Sequence, residues 1–368
     1  MSRFLLYSDW LIALGGGERY LYAIAKAVAE TEEVVVAGPT LPDAGRLKHL
    51  GFSTALPHLR IDRGALPRVT ASYDVLVHST TRLPTMSAAG RSVAIVQFPA
   101  DHAGRVRSWR HPRARLRARP QEVIPRYEYL VYSRFAQEWL RRRWRVESTV
   151  LTPPMLLPGR PTLVEVHDGE RTHILSVGRF FGSGAMKRQD VVIAAYKRLS
   201  AAVRARWPLV LAGPTRADAA TEKFVRELRR SAEGFDISFA IDCSPEEIER
   251  LYRRAAVYWH AAGYGRRGWQ PERAEHFGMA TVEAMSRGAV PLVFGDGGQC
   301  EIVSPDVGMT WRTIDGLVEM TEVLLSDRDR LRRYGDRAYR ASLAYDLEAF
   351  ERRAREVLVE ARSLNLER

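Results

Sequence analysis

Two carboxylates, Glu275 and Glu283, flank His276, Phe277, Gly278, Met279 and Ala280, an apolar turn with a glycine at its centre. Val282, Met285 and Ala289 then fall near helical spacing, and Arg287-Gly288 before Ala-Val-Pro-Leu-Val-Phe reads as a helix stop and a buried strand. Gly278 to Ala280 therefore lies at a helix N-terminus, where unpaired N–H groups and the positive end of the helix dipole favour a diphosphate. At ~1.5 Å rise per residue the carboxylates stand up to roughly 12 Å apart, with that seat between them. One is placed to hold ribose hydroxyls and the other to face a sugar. The alternative for either is a solvated helix charge.

Two cations extend the pattern. Arg179 and Lys187 follow a strand ending Leu175-Ser-Val-Gly178, on the edge where doubly wound sheets bind ligands. Positive charge there suits a leaving diphosphate, whose negative charge grows as the bond to it breaks. Two surface cations are the plainer reading. Near the start, Gly15, Gly16 and Gly17 follow the first strand and open a helix, so the backbone can approach a ligand closely and offer N–H groups. A glycine turn of this kind also serves structure alone. It lacks the G-x-G-x-x-G spacing of a dinucleotide site, which disfavours hydride transfer.

The Glu275 to Glu283 segment resembles the signature of retaining glycosyltransferases of family 4, which have the GT-B fold. Gly15-Gly-Gly-Glu-Arg19, Ser176-Val-Gly-Arg179 with Lys187-Arg-Gln-Asp190, Leu211-Ala-Gly-Pro214 and Gly297-Gly-Gln-Cys-Glu-Ile-Val303 follow in that family's order, so the resemblance spans nearly the whole chain. The glycine motif together with Glu275-His-Phe-Gly278 is most similar to mannosyltransferases that extend lipid-linked oligosaccharides. The resemblance implies two Rossmann-like doubly wound parallel-sheet domains facing across a cleft. It further implies transfer of a hexose, with mannose from GDP-mannose favoured, to a glycan or lipid-linked acceptor, without a cofactor or metal. Arg179 and Lys187 would bind the diphosphate, although the long loop Phe180 to Met186 leaves Arg188 as a rival to Lys187. Glu283 would bind ribose and Glu275 would serve catalysis at the sugar. Where the family commonly has a histidine in a His-x-Pro turn, this chain has Gln97-Phe-Pro99, and glutamine cannot act as a base. His102 is the nearest substitute as a catalytic group, with Asp9 and Asp101 behind it. A sugar-nucleotide epimerase on the same fold would show single-substrate turnover. A noncatalytic basic adaptor would bind indifferently to Glu275, Glu283 and Lys187.

Composition bounds these readings. The 368 residues are 46% apolar, enough for two core-bearing domains. No apolar run approaches the roughly 18–20 residues that span a bilayer, and the first residues lead straight into a strand, so a cytoplasmic protein is expected. Cys243 and Cys300 form neither a disulfide framework nor a CxxC site. The net charge of +12 is uneven: residues 1–160 hold 24 Lys and Arg against 13 Asp and Glu, and the remainder hold 32 against 31. Seven of those arginines lie in 105–119 beside Trp109 and Leu116, a composition suited to peripheral contact with an anionic membrane at about 1 kcal/mol per cation. A solvated arginine-rich loop fits equally well. Nucleic acid is disfavoured, since no reading module accompanies the charge. Asp327-Arg-Asp329 looks like a metal-binding Asp-x-Asp but sits in a charged helical run.

Short apolar runs alternate with amphipathic stretches, as parallel βαβ units require. Strands are expected near 3–8, 33–37, 74–78, 92–97, 128–132 and 148–151, then near 172–177, 208–212, 236–240, 256–260, 290–294 and 309. Helices are expected near 17–30 and 134–143, and later near 188–203, 219–232, 245–254, 278–287, 314–325 and 327–340. The expected domains are 1–160 on the acceptor side and 161–345 on the nucleotide-sugar side. Pro153-Pro154 and the polar stretch 158–170 are expected to link them. Residues 346–368 are expected to form a helix that crosses back to the first domain.

Overall fold

A computed structural model describes residues 1–13, 15–49, 52, 55–100, 124–157, 159–182, 187–266, 268 and 270–360. The chain forms two compact units, Met1–Pro154 with Asp346–Arg368, and Met155–Tyr345. In chain order the first carries β1 (Arg3–Ser8), α1 (Gly16–Val28), β2 (Glu33–Gly38), α2 (Ala44–His49), β3 (His58–Arg60), α3 (Leu66–Val69), β4 (Val75–Thr80), β5 (Arg91–Val96), β6 (Glu128–Val131), α4 (Arg134–Trp144) and β7 (Thr149–Val150). Its seven parallel strands lie in the order β3-β2-β1-β4-β5-β6-β7. Strands β1, β4 and β5 are buried almost throughout, because helices cover both faces of a doubly wound sheet.

The second unit carries α5 (Leu163–Asp168), β8 (His173–Val177), α6 (Gln189–Arg198), α7 (Ala201–Arg206), β9 (Leu209–Gly213), α8 (Ala219–Ala232), β10 (Ile237–Ile241), α9 (Pro245–Arg254), β11 (Ala255–His260), α10 (Met279–Met285), β12 (Val290–Phe294), β13 (Met309–Trp311), α11 (Ile314–Ser326) and α12 (Arg328–Ser342). Its six strands, again all parallel, run β10-β9-β8-β11-β12-β13. In each sheet the order reverses beside the first strand, between β1 and β4 and between β8 and β11. Crevices at the carboxyl ends of such strand pairs are where doubly wound folds bind ligands.

The last helix, α13 (Leu347–Leu358), belongs to the first unit. Phe350 packs 5.4 Å from Tyr20, Glu351 accepts from Lys26 at 2.7 Å, and Arg91 donates to the carbonyls of Val357 and Leu358 at 3.0 and 2.7 Å.

Three details depart from the sequence reading. The units divide at Pro154 and not at 160, because 155–161 is anchored on the second unit. There Met155 donates to the Tyr345 carbonyl (2.8 Å), Arg287 to that of Gly159 (2.7 Å) and Tyr339 to that of Pro161 (2.7 Å). The stretch read as linker contains α5, opened by a reciprocal cap in which the Thr162 hydroxyl accepts from the Glu165 N–H and Glu165 accepts from the Thr162 N–H. The helix expected over 188–203 breaks at Leu199, since the Ser200 hydroxyl caps a new helix by accepting from Val203. Among the described residues no helix is long and apolar enough to cross a membrane.

Candidate functional site

In the second unit, the carboxyl ends of β8 and β11 meet at the point where the strand order reverses, and the titratable cluster lies there. His260 is the last residue of β11 and only 4% exposed. Its Nε2 lies 2.8 Å from Glu275 Oε2. Lys187 Nζ forms an ion pair with that same oxygen. Burial alone would raise the Glu275 carboxyl, but the Lys187 ammonium and the His260 ring hold it well below the usual carboxylate range. Burial pushes His260 down, against the pull of Glu275, which favours the neutral ring. Lys187 reaches across because Gly178 leaves room: a Cβ there would stand 2.8 Å from Lys187 Cγ. Gln189 steadies that turn by donating to the Gly178 and Arg179 carbonyls at 3.2 and 3.1 Å.

The motif Gly297-Gly298 fixes Glu275 from the other side. The Gly298 N–H donates to the Glu275 carbonyl at 2.7 Å, and Gly297, at φ 83°, approaches that carbonyl so closely that any Cβ would collide with it. Gly278, at φ 115°, is the N-cap of α10, so Met279 and Ala280 open the helix. A substituent at Gly278 would press on Gln299 Cβ at 3.3 Å, which ties the glycine turn to the Gly-Gly-Gln loop.

The remaining sequence candidates occupy varied settings. Glu283 sits inside α10, 6% exposed, and accepts from the Tyr252 hydroxyl at 2.9 Å. Together with Glu275 it bears on the buried Tyr258 hydroxyl, which burial first and the two carboxylates second raise far above its ordinary value. Phe277 is buried and packs edge-on against Tyr345, 5.7 Å away. His276 lies 3.3 Å from the Glu272 carbonyl, and burial pushes it down to about 4. Of the rival cations, Lys187 turns to Glu275, whereas Arg188 reaches Asp190 (2.9 Å) and the Tyr264 carbonyl. Arg179 is exposed and its guanidinium lies 5.2 Å from the Phe181 ring, with no contact to Glu275.

In the first unit, Gly15 caps α1 and its N–H donates to Glu18 Oε2 at 3.1 Å, while the Ser8 hydroxyl donates to Glu18 Oε1 at 3.4 Å. Glu18 thus braces the glycine turn. Gly16 is the first residue of the helix, and a Cβ on Gly17 would collide with the Gln97 amide, so the glutamine lies directly on this turn. Asp9 is paired with Arg63 and accepts from Tyr7 at 3.0 Å. Buried His78 stands beside Tyr7, ring centroids 5.3 Å apart, and among the described residues neither of its ring nitrogens is hydrogen-bonded. Asp101, His102 and 105–119 lie outside the described residues.

Residues 164–341 match the family described as Glycosyl transferases group 1. That stretch holds the whole Lys187–His260–Glu275 cluster. No curated protein sequence matches the chain. Solved structures share its fold along nearly the full length at low identity. Sucrose-phosphate synthase (tll1590) from Thermosynechococcus elongatus is 15% identical, with TM-score 0.72 and all of both chains covered. WaaG, a glycosyltransferase involved in lipopolysaccharide biosynthesis, is 16% identical, with TM-score 0.67 over 98% of this chain and 100% of the other. Anabaena Alr3699/HepE, solved in complex with UDP, is 16% identical, with TM-score 0.73 over 98% and 100%. The chain has the GT-B fold, with two parallel-sheet Rossmann-like domains.

Sequence spacing nominated Lys187 and Glu275 but not His260, Tyr258 or Glu18. The available signal for His260 was a polar residue closing the apolar run Ala255-Ala-Val-Tyr-Trp259 at a strand's carboxyl end.

Proposed function

We propose that the chain transfers a hexose, with retention, from a nucleotide-diphosphate sugar to a glycan or lipid-linked acceptor. The observation that carries this is a carboxylate and an ammonium converging at the strand-order reversal of the second unit, inside the stretch that matches group 1 glycosyltransferases. In this reading Lys187 and Arg179 take up the charge that develops on the departing diphosphate, a task fixed cations perform without reorganisation. Glu275, kept ionised, faces the sugar. Glu283 serves the ribose, and the N–H groups of the turn at Gly278 assist the phosphates. GDP-mannose is the donor favoured by the likeness of Glu275-His-Phe-Gly278 to mannosyltransferases. The structural neighbour solved with UDP and with UDP-glucose makes a uridine donor the main competitor. No metal is required, since Lys187 and Arg179 supply the positive charge. The basic stretch 105–119 is assigned to an anionic membrane on the cytoplasmic face, where a lipid-linked acceptor would reside.

The test is thermal unfolding of wild type and Glu283→Ala with GDP, UDP, ADP and dTDP and their common sugar conjugates, in a chelator. One nucleotide should raise the midpoint of the wild type, and the variant should lose that rise. Absence of a shift with every nucleotide would overturn the reading and favour a noncatalytic basic adaptor.

A further inference from the structure

Lys187 and His260 both reach for one oxygen of Glu275. Lys187 Nζ and His260 Nε2 are each on Oε2, and among the described residues nothing is hydrogen-bonded to Oε1. The two partners differ in freedom. Lys187 is 24% exposed on a flexible four-carbon stem lying over a glycine, whereas His260 is 4% exposed and set in β11, where it pairs in register with Val293 of β12. A lysine released from Glu275 can swing to a phosphate oxygen within its own reach. The imidazole cannot follow.

The proton on the ring is fixed by the same geometry. A neutral imidazole carries one N–H. If that N–H were at Nδ1, two lone pairs would face each other across 2.8 Å at Nε2 and Oε2. The N–H is therefore at Nε2 and donates to the carboxylate. Among the described residues Nδ1 is left buried without a hydrogen bond, an unfavourable arrangement that most buried polar atoms avoid. A local cost of this kind is expected where function holds a side chain in place.

We propose that His260 is a positioning residue that keeps Glu275 Oε2 anchored when the donor diphosphate draws Lys187 away, so that Oε1 stays aimed at the sugar. This rests on the reading of Glu275 and Lys187 given under the proposed function. The anchor is a donated hydrogen bond from a neutral ring, and no proton is transferred.

The experiment compares His260→Leu, which removes the donor, with His260→Gln, whose amide Nε2 replaces it. Steady-state transfer and donor hydrolysis are measured with UDP-glucose and GDP-mannose. In parallel, ¹⁵N-histidine NMR reads the His260 tautomer in wild type and in Lys187→Met. His260→Leu should lower kcat at least tenfold with donor KM changed less than threefold, and His260→Gln should recover kcat to within threefold of wild type. The Nε2–H signature should persist in Lys187→Met and on addition of UDP or GDP. A leucine variant with wild-type kcat, equal loss in both variants, or an Nδ1–H ring would overturn the proposal. Should wild type turn over neither sugar nucleotide, the proposed function is what fails. The ring signal then decides the anchor alone: Nε2–H retained in Lys187→Met supports it, and Nδ1–H overturns it.

Discussion

Lys187 holds Glu275 in the resting molecule and, in our reading, the donor diphosphate in the working one. Lys187→Ala should lower kcat about 100-fold, the scale for loss of one group aimed at developing negative charge. Glu275 should keep its ionised form in that variant through His260, so activity at pH 6–8 should fall without a new acid limb, as a pH–rate profile would reveal. In the proposed reading Glu283 makes two separable contributions. On that reading Glu283→Ala should weaken nucleotide binding by ~1.5–3 kcal/mol, the range for a hydrogen bond to a charged group, and should also remove the carboxylate to which the Tyr252 hydroxyl donates, lowering stability. Urea unfolding of Tyr252→Phe, which lacks that hydroxyl, isolates the second effect. At this scale legibility followed chemistry. Charged residues in glycine-rich loops announce themselves, whereas a histidine at the end of a buried strand looks the same in sequence whether it packs or anchors.

The elements place these groups through glycine contacts and caps. Gly297 combines a positive φ with direct contact on the Glu275 carbonyl, so Gly297→Ala should cost more than about 1 kcal/mol and shift Glu275, lowering melting temperature and activity together. Gly17→Ala should be milder, because the atom in its way is the tip of the Gln97 side chain and not backbone. Buried strand histidines contribute to the response to acid. Burial, with Arg63 nearby, pushes His78 of β4 down to about 3, and burial pushes His173 of β8 down to about 4 from the ordinary 6.5. Both folded values lie below the unfolded value. Their stabilising contribution is therefore full above pH 6.5 and lost as pH falls toward 4, at ~1.4 kcal/mol per pH unit for each. At pH 5 each should have cost about 2 kcal/mol, and a neutral replacement, His78→Gln, should flatten the decline in urea-unfolding free energy between pH 7 and 5. The long buried strands and amphipathic helices were readable from periodicity. Strand β3, three residues long, and helix α3, four residues long, were not, since neither spans a full period of pattern. Helix α5 was hidden by the prolines around it, although Thr162-Leu-Val-Glu165 carries the reciprocal cap that starts it.

On the scale of the molecule, two parallel sheets that share one order over six strands, each reversing beside its first strand, explain why chemistry-bearing motifs recur after β1 and after β8. The two sheets were legible because alternating strand and helix signals admit few other architectures. The boundary at Pro154 was not, because the proline pair and polar stretch look like linker while hydrogen bonds from Arg287, Tyr339 and Met155 secure it. The uneven charge also belongs to this scale. Vesicles rich in anionic lipid should retain the protein at low salt and release it as salt rises, and replacing the arginines of 105–119 should abolish retention. Unchanged sedimentation would assign that stretch to solvent.

Helix α13 completes the first unit, yet about 190 residues of the second unit are synthesised before it. At roughly 5–20 residues per second the ribosome needs ~10–40 s to cross that interval. Throughout it Tyr20, Lys26 and Arg91 wait without Phe350, Glu351 and the carbonyls of Val357 and Leu358. A unit whose strands precede the whole of the second is thus sealed only after it. Nascent chains stalled before Asp346 should expose α1 to protease while the Met155–Tyr345 unit already resists it.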